Sequence, residues 1–303
     1  MIKLFTHTDL DGIGCAILAK LAFGTEVVDI EYCNYDDVDS KVEEYFNSDS
    51  VCECHITDIS ISNELAYKIS NSEKKYQLLD HHPTALRLNE FAWCNVQIEN
   101  EETNIKTSGT EMYYRWLVDN NYLIKSYALD RFVELVRNYD TWRWTTLGDK
   151  GVICKQVNDL FYLYGREKFI DWCITEIYED SFPYLYESDE LVLEIEQNNI
   201  DNYIKKKNEQ MLIMPLCGMT CGVVFAEKYF SELGNKLCQM HPEIDFVAMI
   251  DMSGTVSYRT VKDDIDLGKD VAKLFGGGGH AKAAGSRFVN GVQFDVINKI
   301  FNI

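Results

Sequence analysis

The sequence has no long uninterrupted apolar run. Residues 1–7, MIKLFTH, lack the apolar core of a secretion signal, and no later apolar stretch approaches the ~20 residues that a membrane helix needs. We therefore expect no membrane partner and a cytoplasmic location. Low-complexity segments are also missing, and a hydrophobic fraction of 46% with 26% charged residues is typical of a chain that folds throughout.

Positive charge is scarce. The chain carries 29 Lys and Arg residues against 49 Asp and Glu, which gives a formal net charge of -20. Affinity for a long phosphate backbone comes largely from Lys and Arg displacing counterions, so long nucleic acid is an improbable partner. A small anionic substrate stays compatible with this charge if bound metal ions reverse the local field. Clusters of carboxylates therefore become the feature to look for.

Regular cysteine spacing is missing as well. Ten cysteines are scattered along the chain without the pattern of a disulfide framework. They also lack the two matching pairs of closely spaced cysteines that a zinc ribbon needs. We predict that they are free thiols, used mainly as small core residues.

The length and the order of the apolar segments predict two domains. A chain of 303 residues exceeds what one core usually organises. The first half alternates short β-rich runs with amphipathic helices, which predicts an α/β fold with a mainly parallel sheet flanked by helices. Residues 187–210 are charged and predict a helical linker. We place a first domain at residues 1–186 and a smaller α+β domain at residues 211–303.

Acidic and histidine side chains follow two of the predicted strands. His7, Asp9 and Asp11 lie at alternate positions after the first strand, and in extended backbone they would share one face. Asp58 follows a second strand in the same way. The carboxyl edge of a parallel sheet is where such folds bind ligands. Taken singly, these residues could equally form Asp-rich loops that cap the next helices.

A third strand is followed by Asp80, His81 and His82. Neighbouring imidazoles suit metals and phosphates, although a polar turn before Pro83 is the alternative. Asp140 lies where a predicted helix ends and could be an ordinary loop residue. Taken together, these acids and histidines could hold two divalent ions, and without metal the carboxylates would repel one another.

The second domain contains four consecutive glycines that end at a histidine. Gly277, Gly278 and Gly279 would let backbone amides approach a phosphate closely, and His280 adds a further donor. A flexible loop is the alternative. Upstream, Arg259 lies on a predicted hairpin strand and is a candidate for binding phosphate in a forked geometry.

These elements, in this order along nearly the whole chain, resemble the DHH phosphoesterase family. The motif Asp80-His81-His82 gives that family its name, and Gly277-Gly278-Gly279-His280 resembles the signature of the associated DHHA1 domain. The resemblance implies a metal-binding catalytic DHH domain at residues 1–186 and a substrate-binding DHHA1 domain at residues 211–303.

The resemblance also implies roles for single residues. One ion would be held by His7, Asp9 and Asp58, and the other by Asp11, Asp58, His81 and Asp140. Mn²⁺ is the expected ion, with Mg²⁺ and Co²⁺ as alternatives. His82 would contact the scissile phosphate while Asp80 orients a neighbouring imidazole. In the second domain, the Arg259 side chain and the backbone amides around Gly278 to His280 would hold the terminal nucleotide.

Within this family the sequence favours hydrolysis of short oligoribonucleotides to nucleoside monophosphates. The chain has no room for an added oligonucleotide-binding barrel and no overall basic groove, and residues 7–20 resemble the oligoribonuclease branch. The alternatives are a single-strand DNA exonuclease, a 3'-phosphoadenosine 5'-phosphate phosphatase and a cyclic or linear dinucleotide phosphodiesterase. A non-catalytic nucleotide-binding regulator is the alternative from another class. The preferred sugar, the polarity of hydrolysis and the formation of a homodimer are left open.

Overall fold

The computed structural model describes residues 1–50, 52–101, 103–288 and 291–302. The chain separates into two compact units, Met1–Leu193 and Glu194–Ile303, which we call the first and the second unit. The division falls inside a long helix, α8, that covers Glu187–Gln210. This helix is the segment that the sequence predicts as a linker.

Five of the described strands of the first unit form a parallel sheet in the order β2-β1-β3-β4-β5. These strands are β1 (Ile2–His7), β2 (Val28–Cys33), β3 (Glu53–Thr57), β4 (Tyr76–Asp80) and β5 (Cys94–Val96). A short antiparallel ribbon follows, made of β6 (Glu99–Asn100) and β7 (Ile105–Lys106).

Helices cover both faces of this sheet. They are α1 (Leu10–Phe23), α2 (Val38–Asn47), α3 (Asn63–Ser70), α4 (Gly109–Asp119), α5 (Tyr127–Asp140), α6 (Asp149–Tyr164) and α7 (Arg166–Tyr178), with 3₁₀ helices at Pro83–Glu90 and Arg143–Thr146. The parallel sheet flanked by helices confirms the predicted fold class.

The two faces of the sheet carry separate cores. Successive side chains on a strand point to opposite faces, so Leu4 belongs to the core that includes Ile13 of α1, while Phe5 belongs to the core that includes Val42 of α2. Both strand residues are almost fully buried, and burying a side chain of this size stabilises the fold by about 1.5–3 kcal/mol. A strand that is buried on both faces has apolar residues at successive positions, and this explains why Leu4 and Phe5 are neighbours in β1.

The order of the strands creates a switch point beside β1. The chain places β2 on one side of β1 and β3 on the other, so the connections that leave β1 and β3 run to opposite faces of the sheet. Open α/β sheets bind their ligands in the crevice that this divergence leaves at the carboxyl ends of the strands. Because His7 ends β1 and Asp58 follows β3 directly, both residues lie at that crevice.

The described strands of the second unit form a mixed sheet of six strands in the order β12-β13-β11-β10-β9-β8. They are β8 (Leu212–Leu216), β9 (Met219–Phe225), β10 (Phe246–Asp251), β11 (Thr255–Arg259), β12 (Gly278–Gly279) and β13 (Ala283–Arg287). Strands β9 and β10 are parallel, and the other neighbours are antiparallel. The helices wholly within this unit are α9 (Phe230–Met240), α10 (Leu267–Asp270) and α11 (Val292–Phe301), with a 3₁₀ helix at Ala272–Phe275.

The cysteines and the helices bear on two of the sequence predictions. All ten cysteines lie in the described part of the chain, and each is a free thiol. Within the described ranges, every helix is too short or too polar to cross a bilayer.

Helix α4 approaches the sheet edge closely because its first residue is a glycine. A Cβ atom built on Gly109 would lie 2.5 Å from the Cβ of Asp58, and Asp58 is fixed at the end of the central strand β3. A methyl group at residue 109 would therefore force α4 away from β3.

We expect Gly109→Ala to destabilise the protein by about 1–3 kcal/mol, the usual cost of overpacking a filled interior. A thermal melt should show a midpoint lowered by about 2–4 °C for each kcal/mol. Gly278→Ala is the control, because a Cβ on Gly278 would meet no atom within 4 Å. An unchanged midpoint in Gly109→Ala would show that α4 can shift without cost.

Candidate active site

The first strand and first helix place three of the predicted side chains. We expected His7, Asp9 and Asp11 to share one face of an extended backbone. That expectation is wrong, because the extended backbone ends at His7 and α1 already begins at Leu10. Asp9 instead caps α1, with Oδ1 accepting a hydrogen bond from the Gly12 amide at 3.1 Å, and Asp11 lies in the first helical turn. The turn is tight, since a Cβ on Gly12 would lie 2.2 Å from the His7 carbonyl oxygen.

Asp58 lies at the centre of the cluster. It follows β3 with a left-handed φ of 58°, a backbone conformation that Asp tolerates better than most residues and that is often found at functional sites. Its carboxylate is buried, with Oδ1 at 3.2 Å from His81 Nε2 and Oδ2 at 3.9 Å from His7 Nδ1. Asp58 therefore lies between the two histidines.

His81 Nε2 faces three carboxylates. Besides Asp58, it lies 3.6 Å from Asp11 Oδ2 and 3.6 Å from Asp140 Oδ2, at the last residue of α5. The α4 N-terminus fixes the orientation of Asp11, because the amide of Gly109 donates to Oδ2 at 2.6 Å and that of Thr110 donates to Oδ1 at 2.9 Å. Amides at a helix N-terminus favour a negative charge, so they help to hold Asp11 in place.

Asp80 orients its neighbour His82. Its Oδ1 atom accepts hydrogen bonds from the backbone amide of His81 at 2.8 Å and from Nδ1 of His82 at 2.7 Å. Burial alone would raise the pKa of Asp80, but the hydrogen bond from His82 and the charges of the two histidines hold that pKa below its usual value. An ionised carboxylate only accepts hydrogen bonds, so the proton lies on Nδ1 of His82, and Nε2 faces the Tyr35 hydroxyl at 3.1 Å.

The electrostatics of the cluster favour the uptake of cations. Burial, reinforced by the carboxylates of Asp11 and Asp9, raises the pKa of Asp58 well above its ordinary value. Burial and the same two neighbours also raise the pKa of Asp140. For His81, burial lowers the pKa, which keeps the imidazole neutral and available as a ligand. Protons or metal ions must therefore offset the negative charge that collects here.

The donor atoms suit a divalent metal. Within the part of the chain that the structure describes, Asp58 Oδ2 and His81 Nε2 are buried without a hydrogen-bond partner. Side chains that offer ligand atoms within 4.8 Å of one another form overlapping groups: His7, Asp9 and Asp58; Asp11, His81 and Asp140; and Asp58, Asp80, His81 and His82. Mixed carboxylate and imidazole donors bind first-row divalent ions, so the residues present fit such an ion.

Arg259 and the glycine segment lie in the second unit. Arg259, at the end of β11, donates from Nη2 to Ser231 Oγ at 3.2 Å and from Nη1 to the Tyr258 carbonyl oxygen at 2.9 Å. Its side chain packs against Gly234 of α9, where a Cβ would lie 2.6 Å from the Arg259 Cγ atom. Burial lowers the pKa of Arg259, yet a guanidinium stays protonated at neutral pH.

The glycine segment is a short strand rather than an open loop. Gly278 and Gly279 form β12 and pair with β13, and both are exposed. The Gly277 amide donates to the Ala272 carbonyl at 2.8 Å, and the His280 amide donates to the Ala283 carbonyl at 2.8 Å. The hairpin already uses the His280 amide, so of the amides around Gly278 to His280 this one is not available to a terminal nucleotide. The exposed imidazole of His280 stays a candidate.

Sequence reasoning missed two parts of the site. The amides of Gly109 and Thr110 hold Asp11 although they lie 98 and 99 residues away along the chain, so no local pattern could connect them. Tyr35 also escaped notice, and its hydroxyl lies 3.1 Å from His82 Nε2. The signal for Tyr35 is that it comes two residues after β2, the strand next to β1, at the same edge of the sheet.

Fold and site together define a class of protein. A cluster of buried acids and histidines suited to divalent ions, placed at the switch point of a parallel sheet beside an oriented histidine, is the arrangement of a metal-dependent hydrolase of phosphate esters.

Comparison with known proteins then gives the family. No family model matches the chain. The chain is 36% identical to the oligoribonuclease NrnB of Bacillus subtilis over 311 aligned residues, which cover 100% of this chain and 77% of the relative. The chain belongs to the DHH phosphoesterase family, in its oligoribonuclease branch, as the motifs predict.

Solved structures share the fold. The exonuclease RecJ bound to manganese matches with a TM-score of 0.61 at 15% identity, over 98% of this chain and 88% of that one. The pGpG-specific phosphodiesterase PggH from Vibrio cholerae matches with a TM-score of 0.54 at 12% identity, over 100% and 98% of the two chains. At these identities the likeness supports the fold alone.

The cluster predicts opposite effects of Asp58→Asn with and without metal. In chelator the variant should melt at a higher temperature than the wild type, because one of several repelling buried carboxylates becomes neutral and Asn also tolerates a left-handed backbone. With Mn²⁺ at about 100 times its dissociation constant, the wild type should gain about 2.7 kcal/mol that the variant lacks.

Calorimetric titration with Mn²⁺ and thermal melts measure both effects. Asp171→Asn, an exposed acid on α7, is the control and should behave as the wild type does. Equal Mn²⁺ affinity in Asp58→Asn and the wild type would remove Asp58 from the metal site.

Proposed function

We propose that the protein is a metal-dependent phosphodiesterase that hydrolyses short oligoribonucleotides to nucleoside monophosphates. The observation that carries the proposal is the cluster of acids and histidines around Asp58 whose atoms could hold divalent ions, beside a histidine that Asp80 orients. The identity with an oligoribonuclease along the whole chain supports the choice of substrate.

The proposed metal site would take two ions. His7, Asp9 and Asp58 would hold one, and Asp11, Asp58, His81 and Asp140 would hold the other, with Asp58 common to both sets. Mn²⁺ is the proposed ion, with Mg²⁺ and Co²⁺ as alternatives, and RecJ has been solved with both Mn²⁺ and Mg²⁺. When bound, such ions neutralise charge on the phosphate and activate water for in-line attack.

The chain's own residues prepare the site for that reaction. The amides of Gly109 and Thr110 prevent Asp11 from rotating, so the ligand atoms keep their places before the substrate binds. Asp80 holds the proton on Nδ1 of His82, and Nε2 is the atom that would contact the scissile phosphate. In its protonated form, His82 would offset the charge that develops on the phosphate oxygens.

The charge of the protein limits the substrate to short strands. With a net charge of -20, the chain repels a long polyanion, so binding must depend on a few local contacts. We propose that the second unit supplies some of them, with Arg259 and the side of the hairpin at Gly277, Gly278, Gly279 and His280 holding the terminal nucleotide. Arg259 is suited to this role because Ser231 and the Tyr258 carbonyl keep its guanidinium in place.

The length of the strands that are degraded tests the proposal. Purified protein with Mn²⁺ should release mononucleotides from labelled RNA of about two to five residues and act weakly on long RNA or DNA, because few contacts hold the strand. Parallel assays use cyclic and linear dinucleotides, 3'-phosphoadenosine 5'-phosphate and pyrophosphate. His82→Ala and Asp58→Asn should lose about 100-fold or more in kcat, while Asp171→Asn should not.

Other outcomes would point to the alternative functions. Rapid degradation of long single-stranded DNA would favour an exonuclease, and preference for the bisphosphate would favour a phosphatase. Nucleotide binding without turnover of any substrate would favour the regulator.

Arg259→Ala tests the substrate role of the second unit. Removing a charged hydrogen-bond donor costs about 1.5–3 kcal/mol, so KM for a dinucleotide should rise by roughly 10- to 150-fold while kcat changes little. Lys236→Ala, an exposed cation on α9, is the matched control. Steady-state kinetics measures both constants. A fall in kcat at constant KM would place Arg259 in the chemical step instead.

A further inference from the structure

Tyr35 lies in the loop that follows β2. The register of the sheet pairs His7 with Cys33, so the residues after β2 lie beside the residues after β1. Asn34 fastens this loop, since its amide donates to Asp37 Oδ1 at 2.7 Å and its Oδ1 atom lies 3.4 Å from the Thr8 hydroxyl. Neighbouring side chains thus hold the backbone around Tyr35 at the edge of the metal site.

The Tyr35 side chain contacts the site although it is exposed. Its hydroxyl lies 3.1 Å from His82 Nε2, and its ring centroid lies 5.1 Å from that of His7 and 5.9 Å from that of His82. The residue nevertheless keeps 62% of its surface exposed. A tyrosine held at its hydroxyl and beside two imidazole rings, with most of its surface exposed to solvent, forms an aromatic platform.

Position and chemistry indicate what this platform binds. His82 is the residue proposed to contact the scissile phosphate, and a sugar and a base follow each phosphate in an oligonucleotide. Every base has an aromatic face, and stacking on a protein aromatic ring contributes about 1–3 kcal/mol for each base. A stacked base also suits this acidic protein, because stacking provides affinity that needs no positive charge.

We propose that Tyr35 stacks on the base of the nucleotide whose phosphate lies at His82, and that it thereby selects nucleotides over other phosphate esters. This inference rests on the proposed function for the position of the phosphate. The hydrogen bond between Tyr35 and His82 orders the ring in the free protein. Stacking needs the ring and not the hydroxyl, which separates this role from a role of the phenol in the chemistry.

The test compares a ligand with a base and a ligand without one. Calorimetry in the presence of Mn²⁺ measures binding of adenosine 5'-monophosphate and of ribose 5-phosphate to the wild type, Tyr35→Phe and Tyr35→Leu. We expect Tyr35→Leu to lose about 5- to 150-fold in affinity for the nucleotide and less than about twofold for the sugar phosphate. Tyr35→Phe should stay within about threefold of the wild type for both ligands.

Two control variants sharpen the comparison. Tyr67→Leu removes another exposed tyrosine, which lies on α3 and whose hydroxyl donates to Glu90 at the end of the 3₁₀ helix Pro83–Glu90. This variant should bind both ligands as the wild type does. Trp142→Leu removes a second aromatic residue near the site, which lies edge-on against Trp144 at 5.4 Å between ring centroids.

Each outcome decides the proposal. Equal losses for both ligands in Tyr35→Leu, no loss in that variant, or a selective loss in Trp142→Leu alone would overturn it. A selective loss in Tyr35→Leu would support it even if the wild type hydrolysed no oligonucleotide, so binding separates this inference from the proposed function.

Discussion

Repulsion among buried carboxylates is the constraint on which the rest of this structure depends. Asp11, Asp58 and Asp140 all lie near one imidazole nitrogen of His81, and Asp9 lies close to His7. Burying several negative charges together is costly unless protons or cations accompany them. The raised pKa values of Asp58 and Asp140 express that cost. A fold that keeps these acids together is therefore built to be completed by metal ions.

The backbone supplies part of what holds the cluster in place. The backbone amides of Gly109 and Thr110, at the N-terminus of α4, donate hydrogen bonds to Asp11. Because Gly109 has no side chain, α4 can approach Asp58 closely. Asp58 itself adopts a left-handed conformation. Backbone strain and close backbone approach cost stability, and both occur here at the candidate ligand residue Asp58.

The two units differ in the kind of contact they can offer a substrate. The first unit has a cluster of acids and histidines that suits divalent ions, an oriented histidine and an exposed aromatic ring at one sheet edge. The second unit has a guanidinium ordered by Ser231 and an exposed glycine hairpin. For a protein of net charge -20, affinity for an anionic strand must come from such local groups rather than from a basic surface. Short substrates meet that condition, because few phosphates need to be neutralised.

The sequence by itself determined the class of fold and most of the acids and histidines that the structure brings together. Alternating strands and helices predict a parallel sheet, and acids that follow successive strands must meet at one edge of it, so Asp58 and His81 could be identified without coordinates. The positions of the strands and helices, and of the polar residues that follow them, are visible as local patterns in the sequence. The order of the motifs along the chain also predicted the family.

Tertiary structure alone decided the features that depend on residues far apart in the chain. The amides that hold Asp11 come from residues 98 and 99 positions away, and Tyr35 reaches His82 across 47 positions. The His280 amide donates a hydrogen bond to the Ala283 carbonyl within the hairpin. Chain spacing carries no information about such contacts. They exist because neighbouring strands and packed helices bring distant residues within hydrogen-bond distance, and that geometry is fixed only when the whole sheet has formed.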